Sequence, residues 1–279
     1  MGKKSRRIKP AKQRMPFVAR TFEGLPSEGD WVALREFVPS ATATTTLKDG
    51  RTVRVCTLLP GAGAGLVRPD GEIWVGLQVM HNHGDISRDL AHVIEIAGDT
   101  EPGTPIRMTP PGMGARLQDL VDPDAGFELE LHEGFDWWLV EEDRESGAAA
   151  AALEEANATV APTTRLTATD SAYVTDMGDH AYLRWIMPHD ESPLLDAFAR
   201  LRAADEDAIV EGTTLIGIFR AHGLLVPVWE LDGVGPAELD AAVPAFATRL
   251  DKAIAATGEL STEERAARRD LVSRQVTIR

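Results

Sequence analysis

Hydrophobic residues follow the same order of patterns twice along the chain. In the first half, an apolar run over 73–79 predicts a strand, and a helix is predicted to begin at 85–87. The apolar face of that helix repeats with i, i+3, i+4, i+7 spacing at Leu90, Val93, Ile94 and Ala97. Apolar and acidic residues then alternate over 127–131, which predicts a hairpin that turns at Glu133-Gly134 and returns over 135–140.

The second half repeats this order. A strand is predicted over 182–187, followed by a helix with Ser192 as N-cap and Pro193 in its first turn. The predicted buried face of this helix consists of Leu194, Leu195, Phe198 and Leu201. A second hairpin is predicted over 215–229, with its turn at His222-Gly223.

Both halves therefore predict strand, helix and hairpin, with glycine (Gly134 and Gly223) at the second turn position, where a positive φ is needed. This order indicates an α+β protein built from two similar small mixed domains, through an internal duplication, with helices after them. The alternative is a single mixed sheet assembled from ordinary α+β parts. The Pro/Gly-rich stretch 99–116 lengthens the first half and is predicted to be a surface insert.

Charged and alanine-rich stretches set the predicted boundaries. A charged stretch over 141–147 separates the halves, and the alanine run after it predicts a short helix. Another helix is predicted over 245–256, and Ser261 with Glu264 forms a capping box that starts the last one. The predicted organisation is a basic disordered arm at 1–14, α+β domains at 15–146 and 147–258, and a basic C-terminal helix and tail at 259–279.

Charge is divided unevenly along the chain. Of the 29 Lys and Arg, seven lie within the first 14 residues, which leaves 22 against all 44 Asp and Glu in the rest. So sharp a block predicts a solvated arm that binds a polyanion, although a solubilising tail without a specific partner is an alternative. The basic residues of this arm are Lys3, Lys4, Arg6, Arg7, Lys9, Lys12 and Arg14. A second, weaker RNA contact is predicted on the last helix at Arg265, Arg268 and Arg269.

Composition narrows the class of protein. With 43% apolar and 26% charged residues, the chain is typical of globular proteins. It has no apolar run long enough for a membrane span and no apolar signal segment. Cys56 is the only cysteine, which excludes disulfides within the chain and zinc sites built from several cysteines. A cytoplasmic location without membrane contact is expected.

Two segments are candidates for ligand binding, and each has a structural alternative. The glycines of 61–65 lack the Lys-Ser/Thr and the helix that a phosphate loop needs, which favours a flexible hairpin loop. His81 and His83, with Asp85 or His92, offer ligands to a metal, but a polar loop before a helix cap is the favoured interpretation.

The best acid–base candidates are the segment 189–191 (His-Asp-Glu) and the turn residue His222, because imidazole titrates near neutrality. No Gly-x-Ser-x-Gly context supplies a nucleophile beside them, so ordinary polar roles are favoured. Trp137 and Trp138 are adjacent on a predicted strand and must face opposite sides of it. Core packing is favoured over base stacking for these rings. No catalytic residue, metal ligand or cofactor is assigned.

Six segments, spread over essentially the whole chain, resemble an uncharacterised actinobacterial family of unknown function. They are 1–7, 30–36, 87–91, 134–138, 220–230 and 274–279. The resemblance implies no established activity and no catalytic residues. Members of that family often carry a label as a preprotein translocase motor ATPase, but this chain has no Gly-x-x-x-x-Gly-Lys-Ser/Thr loop to hold phosphates.

The sequence predicts a non-enzymatic, RNA-anchored binding protein associated with the ribosome. The arm would neutralise phosphates, and like-charge repulsion would keep the acidic body off the RNA and free for a protein partner. The alternative is a small-molecule enzyme or sensor with a pocket at the interface of the two domains. An apolar cleft containing a histidine and convergent carboxylates would favour that alternative, whereas a smooth body with an ordered tail would favour the first.

Overall fold

The computed structural model describes residues 16–80, 82–139 and 147–273. The seven basic residues of the predicted arm, His81 and the predicted boundary at 141–146 lie outside the described residues. The described chain forms seven α-helices and two β-sheets, which confirms the α+β fold class.

The first part of the chain forms a six-stranded sheet with three helices. In chain order the elements are α1 (Glu28–Glu36), β1 (Ala41–Thr46), β2 (Thr52–Cys56), β3 (Gly65–Val67), β4 (Ile73–Gly76), α2 (Ile86–Ala97), β5 (Pro105–Ile106), α3 (Leu117–Leu120) and β6 (Glu128–Leu131). The strand order is β5-β3-β4-β2-β1-β6, and β2 runs parallel to β4. Helix α2 begins after Asp85 as predicted, and the four residues of its predicted apolar face are buried. The predicted surface insert contributes β5 to the edge of this sheet.

The second part forms a five-stranded antiparallel sheet with four helices. In chain order the elements are α4 (Gly147–Asn157), β7 (Thr163–Arg165), β8 (Ala172–Asp176), β9 (Ala181–Trp185), α5 (Glu191–Ala203), β10 (Thr213–Ala221), β11 (Leu224–Leu231), α6 (Pro236–Ala255) and α7 (Thr262–Ser273). The strand order is β10-β11-β9-β8-β7. The predicted hairpin is confirmed, with φ of 49° at His222 and 87° at Gly223. Helix α5 starts earlier than predicted, with Asp190 rather than Ser192 at the N-cap.

The hairpin predicted in the first half is wrong. Strand β6 pairs with β1, and Asp136–Trp138 form one turn of 3-10 helix instead of a returning strand. The reason is the packing of the aromatic rings, because Trp138 is buried, stacks on Phe135 and donates from Nε1 to the Leu58 carbonyl at 2.9 Å. Gly134 has no positive φ, and a Cβ there would lie 2.7 Å from Asn157 Oδ1.

This difference also overturns the duplication. The first sheet contains a parallel pair of strands, whereas every neighbouring pair in the second sheet is antiparallel. The two halves therefore have different topologies. Their similar order of hydrophobic patterns arises from α+β elements that are connected differently in each half.

The second sheet is covered on both faces. Side chains on one face form a core with α5, α6 and α7, in which Trp185, Trp229 and Phe246 are buried. The other face completes the core of the first sheet and α1 with Tyr173, Ile186, Ala221, Leu224 and Val226. Alternation along β8 produces this division, since Ala172 and Val174 face one core and Tyr173 faces the other. The predicted domain limits at 15–146 and 147–258 stay a prediction, but the two segments share a core.

The C-terminal helices match the sequence signals in part. The capping box is confirmed, because Ser261 N donates to Glu264 Oε2 at 2.6 Å and Glu264 N donates to Ser261 Oγ at 3.2 Å. Helix α6 is longer than predicted, since it begins at Pro236 and continues through Pro244. In the part of the chain that the structure describes, no helix has the combined length and apolar character of a membrane span.

Candidate functional site

A buried polar contact joins α1 to the second sheet. Asp30 of α1 is 2% exposed, accepts from Tyr173 Oη at 2.7 Å and accepts from Arg165 Nη2 at 2.9 Å. Burial, together with the neighbouring Asp30 charge, raises the pKa of Tyr173, so its hydroxyl remains a donor at all ordinary pH values. The contact fixes the first turn of α1 against β7 and β8.

The backbones of α1 and the loop before β8 approach closely beside this contact. A Cβ on Gly29 would lie 2.4 Å from Ser171 Oγ. Ser27 and Ser171 both have φ of 53°, in the left-handed region that side chains other than glycine rarely adopt. The loop itself is tethered to α6, because Asp240 accepts from the amides of residues 167 and 168 at 2.8 and 2.9 Å. Such strained positions persist only where the surrounding contacts hold them, and they cluster at functional sites.

Two cavities open on either side of this loop. We call the first the junction cavity; it measures about 240 Å³ and is lined by residues 27–30, 170–171, Ile186 and Pro188. We call the second the α6 cleft; it measures about 220 Å³ and is lined by residues 169–170, residues 185–189, and Ala247, Leu250 and Asp251 of α6. Asp170, Ile186 and Pro188 line both.

The α6 cleft combines an apolar wall with polar groups. Trp185, Met187 and Leu250 are buried and form its apolar part. Asp170 and Asp251 are exposed at its rim. His189 is half-buried, and its Nδ1 atom is buried without a hydrogen-bond partner among the described residues. The cleft therefore presents two exposed carboxylates beside apolar side chains that are almost fully packed.

A family model described as a family of unknown function (DUF5926) matches residues 21–279. The chain belongs to this family. The match confirms the resemblance seen in the sequence, and it includes every element from α1 to α7 and both cavities. Comparison with curated proteins and with solved structures gives no match.

In this member of the family, His222, one of the predicted acid–base candidates, has a hydrogen-bond partner at each ring nitrogen. Its Nε2 is 2.8 Å from Glu36 Oε1, its Nδ1 is 3.1 Å from Thr21 Oγ1, and its ring packs on Phe22. The hydrogen bond from His222 holds the pKa of Glu36 below its usual range. His222 therefore joins the N-terminal segment, α1 and the β10–β11 hairpin, which is a structural role.

The predicted metal ligands are separated. His83 Nδ1 is 3.1 Å from Asp89 Oδ1, and His92 Nε2 is 2.9 Å from Thr109 Oγ1. Asp85 instead accepts from Arg116 at 2.8 Å. Among the described residues, no group of three His, Cys, Asp or Glu side chains is placed to hold a metal ion.

The arginines of α7 differ in their surroundings. Arg268 donates to Asp196 of α5 at 2.6 Å, and Arg265 donates to the Leu260 carbonyl. Arg269 is exposed. Arg268 therefore helps to dock α7, which leaves Arg265 and Arg269 as the more accessible cations of the predicted RNA contact.

Sequence reasoning missed Asp30, Asp170 and Asp251. For Asp30 a signal existed, because a carboxylate precedes four consecutive apolar residues in a helix whose middle is buried on all sides. Asp170 and Asp251 lie 81 positions apart on exposed segments, and only the folding of α6 onto the sheet brings them to one cleft.

Proposed function

We propose that this protein is a non-enzymatic, RNA-anchored binding protein of the cytoplasm, associated with the ribosome through its arm. The observation that carries the proposal is the separation of charge, with seven basic residues and no acid in the first 14 positions and 44 acidic residues after them. Lys and Arg release counterions when they bind phosphates, and the acidic body is repelled by the same surface. The body then remains available to a protein partner.

The segment that follows the predicted arm is fixed on the body, which supports this proposal. Thr21 N donates to the His222 carbonyl at 3.3 Å, and Arg20 is paired with Glu28 at 2.7 Å. A Cβ on Gly223 would lie 2.5 Å from the Ala19 carbonyl oxygen, so the chain crosses the hairpin tip in close contact. When the arm binds a polyanion, the segment that connects the arm to the body therefore keeps a fixed position on the body.

Deletion of residues 1–14 tests the proposal. We expect the shortened protein to keep its thermal stability and to lose co-sedimentation with ribosomal particles and binding to RNA. Binding of the full chain should weaken with salt by about 0.7–0.9 log units per phosphate contact for each tenfold increase in salt. A matched control keeps all seven charges but scrambles the order of residues 1–14, and it should bind like the natural arm.

Full binding by the shortened protein, or binding that does not change with salt, would contradict the proposal.

Substituting Arg265 and Arg269 by Glu tests the second predicted RNA contact, on α7. Arg268 is left unchanged in this variant, because its ion pair with Asp196 keeps α7 docked on α5. A reduced affinity without a change in melting temperature would support a polyanion contact on α7.

We also propose a second candidate function, the binding of a small molecule in the α6 cleft. It is favoured by two exposed carboxylates and the half-buried His189 beside apolar side chains, in a cleft whose lining residues all belong to the second part of the chain. Amide and indole NMR spectra of the full chain, recorded with a mixed fragment library, test this candidate. We expect saturable shifts of the Trp185 indole signal, and Ala247→Trp, which fills the cleft, should abolish them.

A further inference from the structure

We infer that the outer edge of β10 is a docking site for residues 274–279 of the same chain, which pair with it as a further strand of the second sheet. These six residues follow α7 and lie outside the described residues. The inference is independent of both proposed functions, because it concerns neither the basic arm nor the α6 cleft.

Strand β10 lies at one edge of the second sheet and presents backbone groups outward. Its residue Arg220 is paired with Leu225 of β11, but the Leu225 carbonyl accepts from Met187 N at 3.1 Å, on the side away from β10. Arg220 and Leu225 are therefore a pair without mutual hydrogen bonds, so the N–H and C=O of Arg220 face the open edge. Such pairs alternate along antiparallel strands, which places the N–H and C=O of Ile218 at the same edge.

These outward groups are open to another strand. In the part of the chain that the structure describes, no hydrogen bond reaches the outward N–H and C=O of Ile218 or Arg220. The start of the strand is different, because Arg202 Nη2 donates to the Leu215 carbonyl at 2.5 Å and so covers the edge there. The open stretch is therefore 216–221, and an uncovered apolar edge of this kind is a template for pairing.

The direction of α7 brings its end to this stretch. Gly258, before α7, accepts from Arg200 near the end of α5 at 2.8 Å, whereas Arg268 of α7 donates to Asp196 near the start of α5 at 2.6 Å. Helix α7 therefore runs antiparallel to α5, and it also contacts β10. The helix continues for five residues after Arg268, about 7.5 Å at 1.5 Å per residue, and so ends close to the first residue of α5.

The first residue of α5 marks the place on β10 where the segment arrives. Glu191 is 2.6 Å from Arg220, at the open end of the edge. A chain that leaves α7 after residue 273 therefore starts beside Arg220 and reaches the open stretch by running back antiparallel to β10. Six extended residues span about 20 Å, which matches the six residues of 216–221.

The sequence of the segment suits a strand. Val276, Thr277 and Ile278 are three consecutive β-branched residues, which favour extended structure. Alternation places Val276 and Ile278 on one face. Val272, in the last turn of α7, is 38% exposed, so pairing that turns Val276 and Ile278 toward α7 also covers this apolar side chain.

Amide hydrogen exchange, followed by NMR, tests the inference in the full chain and in a variant without residues 274–279. We expect the outward amides of Ile218 and Arg220 to exchange about tenfold more slowly in the full chain, because each gains a hydrogen-bonded or covered position. The Phe219 amide is the internal control, since it faces β11 and should exchange at the same rate in both proteins.

A substitution in the full chain separates backbone pairing from other effects of the deletion. In Val276→Pro/Thr277→Pro, one of the two lost N–H groups must face β10, because successive residues of a strand alternate in direction. This variant should exchange at Ile218 and Arg220 as fast as the shortened protein. Thr277→Val keeps the N–H and the β-branched shape, and it should exchange like the natural chain.

Equal exchange rates at Ile218 and Arg220 with and without residues 274–279 would overturn the inference. Slow exchange in both proteins that becomes slower with protein concentration would assign the edge to a second copy of the chain instead. Natural protection in the double proline variant would likewise show that the segment does not pair with β10 through its backbone.

Discussion

Gly29 tests how closely α1 and the second sheet fit together. In Gly29→Ala the new Cβ would lie 2.4 Å from Ser171 Oγ and 2.7 Å from Ser171 Cβ, so the loop must move. We expect a loss of about 1–3 kcal/mol in the free energy of unfolding, typical of overpacked sites, measured by urea denaturation. Gly258→Ala is the control, because no atom lies within 4 Å of a Cβ built there.

The strain at Ser171 allows a compensating change. Ser171→Gly removes the side chain that the new methyl group of Gly29→Ala would meet, and glycine also suits the φ of 53°. We expect this second substitution to restore most of the stability lost in Gly29→Ala. Equal stability of Gly29→Ala and Gly258→Ala would show that the two backbones do not meet as closely as described.

Glu36 should make the stability depend on pH. The hydrogen bond from His222 lowers the pKa of Glu36 in the folded state below its value in the unfolded chain. A carboxyl group of this kind stabilises the fold above its unfolded pKa, about 4.3, and loses that contribution as pH falls through the folded pKa. In urea titrations between pH 7 and pH 3, Glu36→Gln should therefore destabilise at pH 7 and converge on the natural protein at low pH. His222→Asn tolerates the positive φ and should also remove the shift in the pKa of Glu36, but it should stay destabilising at low pH because the contacts with Thr21 and Phe22 are lost at every pH.

A difference between Glu36→Gln and the natural protein that stays constant from pH 7 to pH 3 would contradict this account. Glu101→Gln is a suitable control, because Glu101 is exposed and, among the described residues, has no ion pair or side-chain hydrogen bond.

At the scale of elements, the hairpin tip of β10 and β11 reverses the chain and also contacts the N-terminal segment. Gly223 has φ of 87°, and a Cβ there would lie 2.5 Å from the Ala19 carbonyl oxygen and 2.8 Å from Arg20 Cα. Gly178 has φ of 88° in the turn between β8 and β9, but no atom lies within 4 Å of its Cβ position. Alanine at either site incurs the cost of a positive φ, and alanine at 223 must also displace backbone.

We therefore expect Gly223→Ala to be more destabilising than Gly178→Ala by about 1–3 kcal/mol, measured as the difference in urea unfolding free energy. Proteolysis between residues 16 and 27 should also become faster in Gly223→Ala, because the N-terminal segment loses its place on the hairpin. If the two variants are equally stable, the segment over 19–22 is not packed on the hairpin tip.

Local sequence patterns predicted the elements that depend on near neighbours. The apolar faces of α2 and α5, the His222-Gly223 turn and the capping box of α7 are all present, since each is decided by residues within a few positions. The return strand after β6 is absent because Trp138 finds its hydrogen-bond partner at Leu58, 80 positions earlier. The start of α6 was missed because Pro244 lies inside it, whereas proline usually ends a helix.

The candidate site was harder to predict for the same reason. His189 was recognised as a titratable residue, but its surroundings come from the loop before β8, the end of β9 and the middle of α6. No local pattern indicates that these three segments meet. The predicted alternative placed a pocket where the two halves meet, whereas the residues that line the α6 cleft all belong to the second part of the chain.

At the scale of the whole molecule, the second sheet links two cores. One face of it packs on α5, α6 and α7, and the other contributes Tyr173, Ile186 and Val226 to the core around α1. The Asp30–Tyr173 hydrogen bond of 2.7 Å crosses the same boundary. Neither part can therefore unfold without exposing apolar and buried polar groups of the other.

We accordingly expect a single cooperative unfolding transition. Far-UV circular dichroism reports mainly on helices α4 to α7 of the second part, which hold most of the helical residues, whereas in Trp185→Phe/Trp229→Phe the tryptophan fluorescence comes only from residues 31, 74, 137 and 138 in the first half. Urea curves from the two probes should coincide in that variant, as two-state unfolding requires.

Residues 147–273 expressed alone should bind a hydrophobic dye and give poorly dispersed NMR spectra, because the face of Tyr173, Ile186 and Val226 is then uncovered. Separate transitions, or a well-folded 147–273 segment, would show instead that the division predicted near residue 147 separates two independent domains.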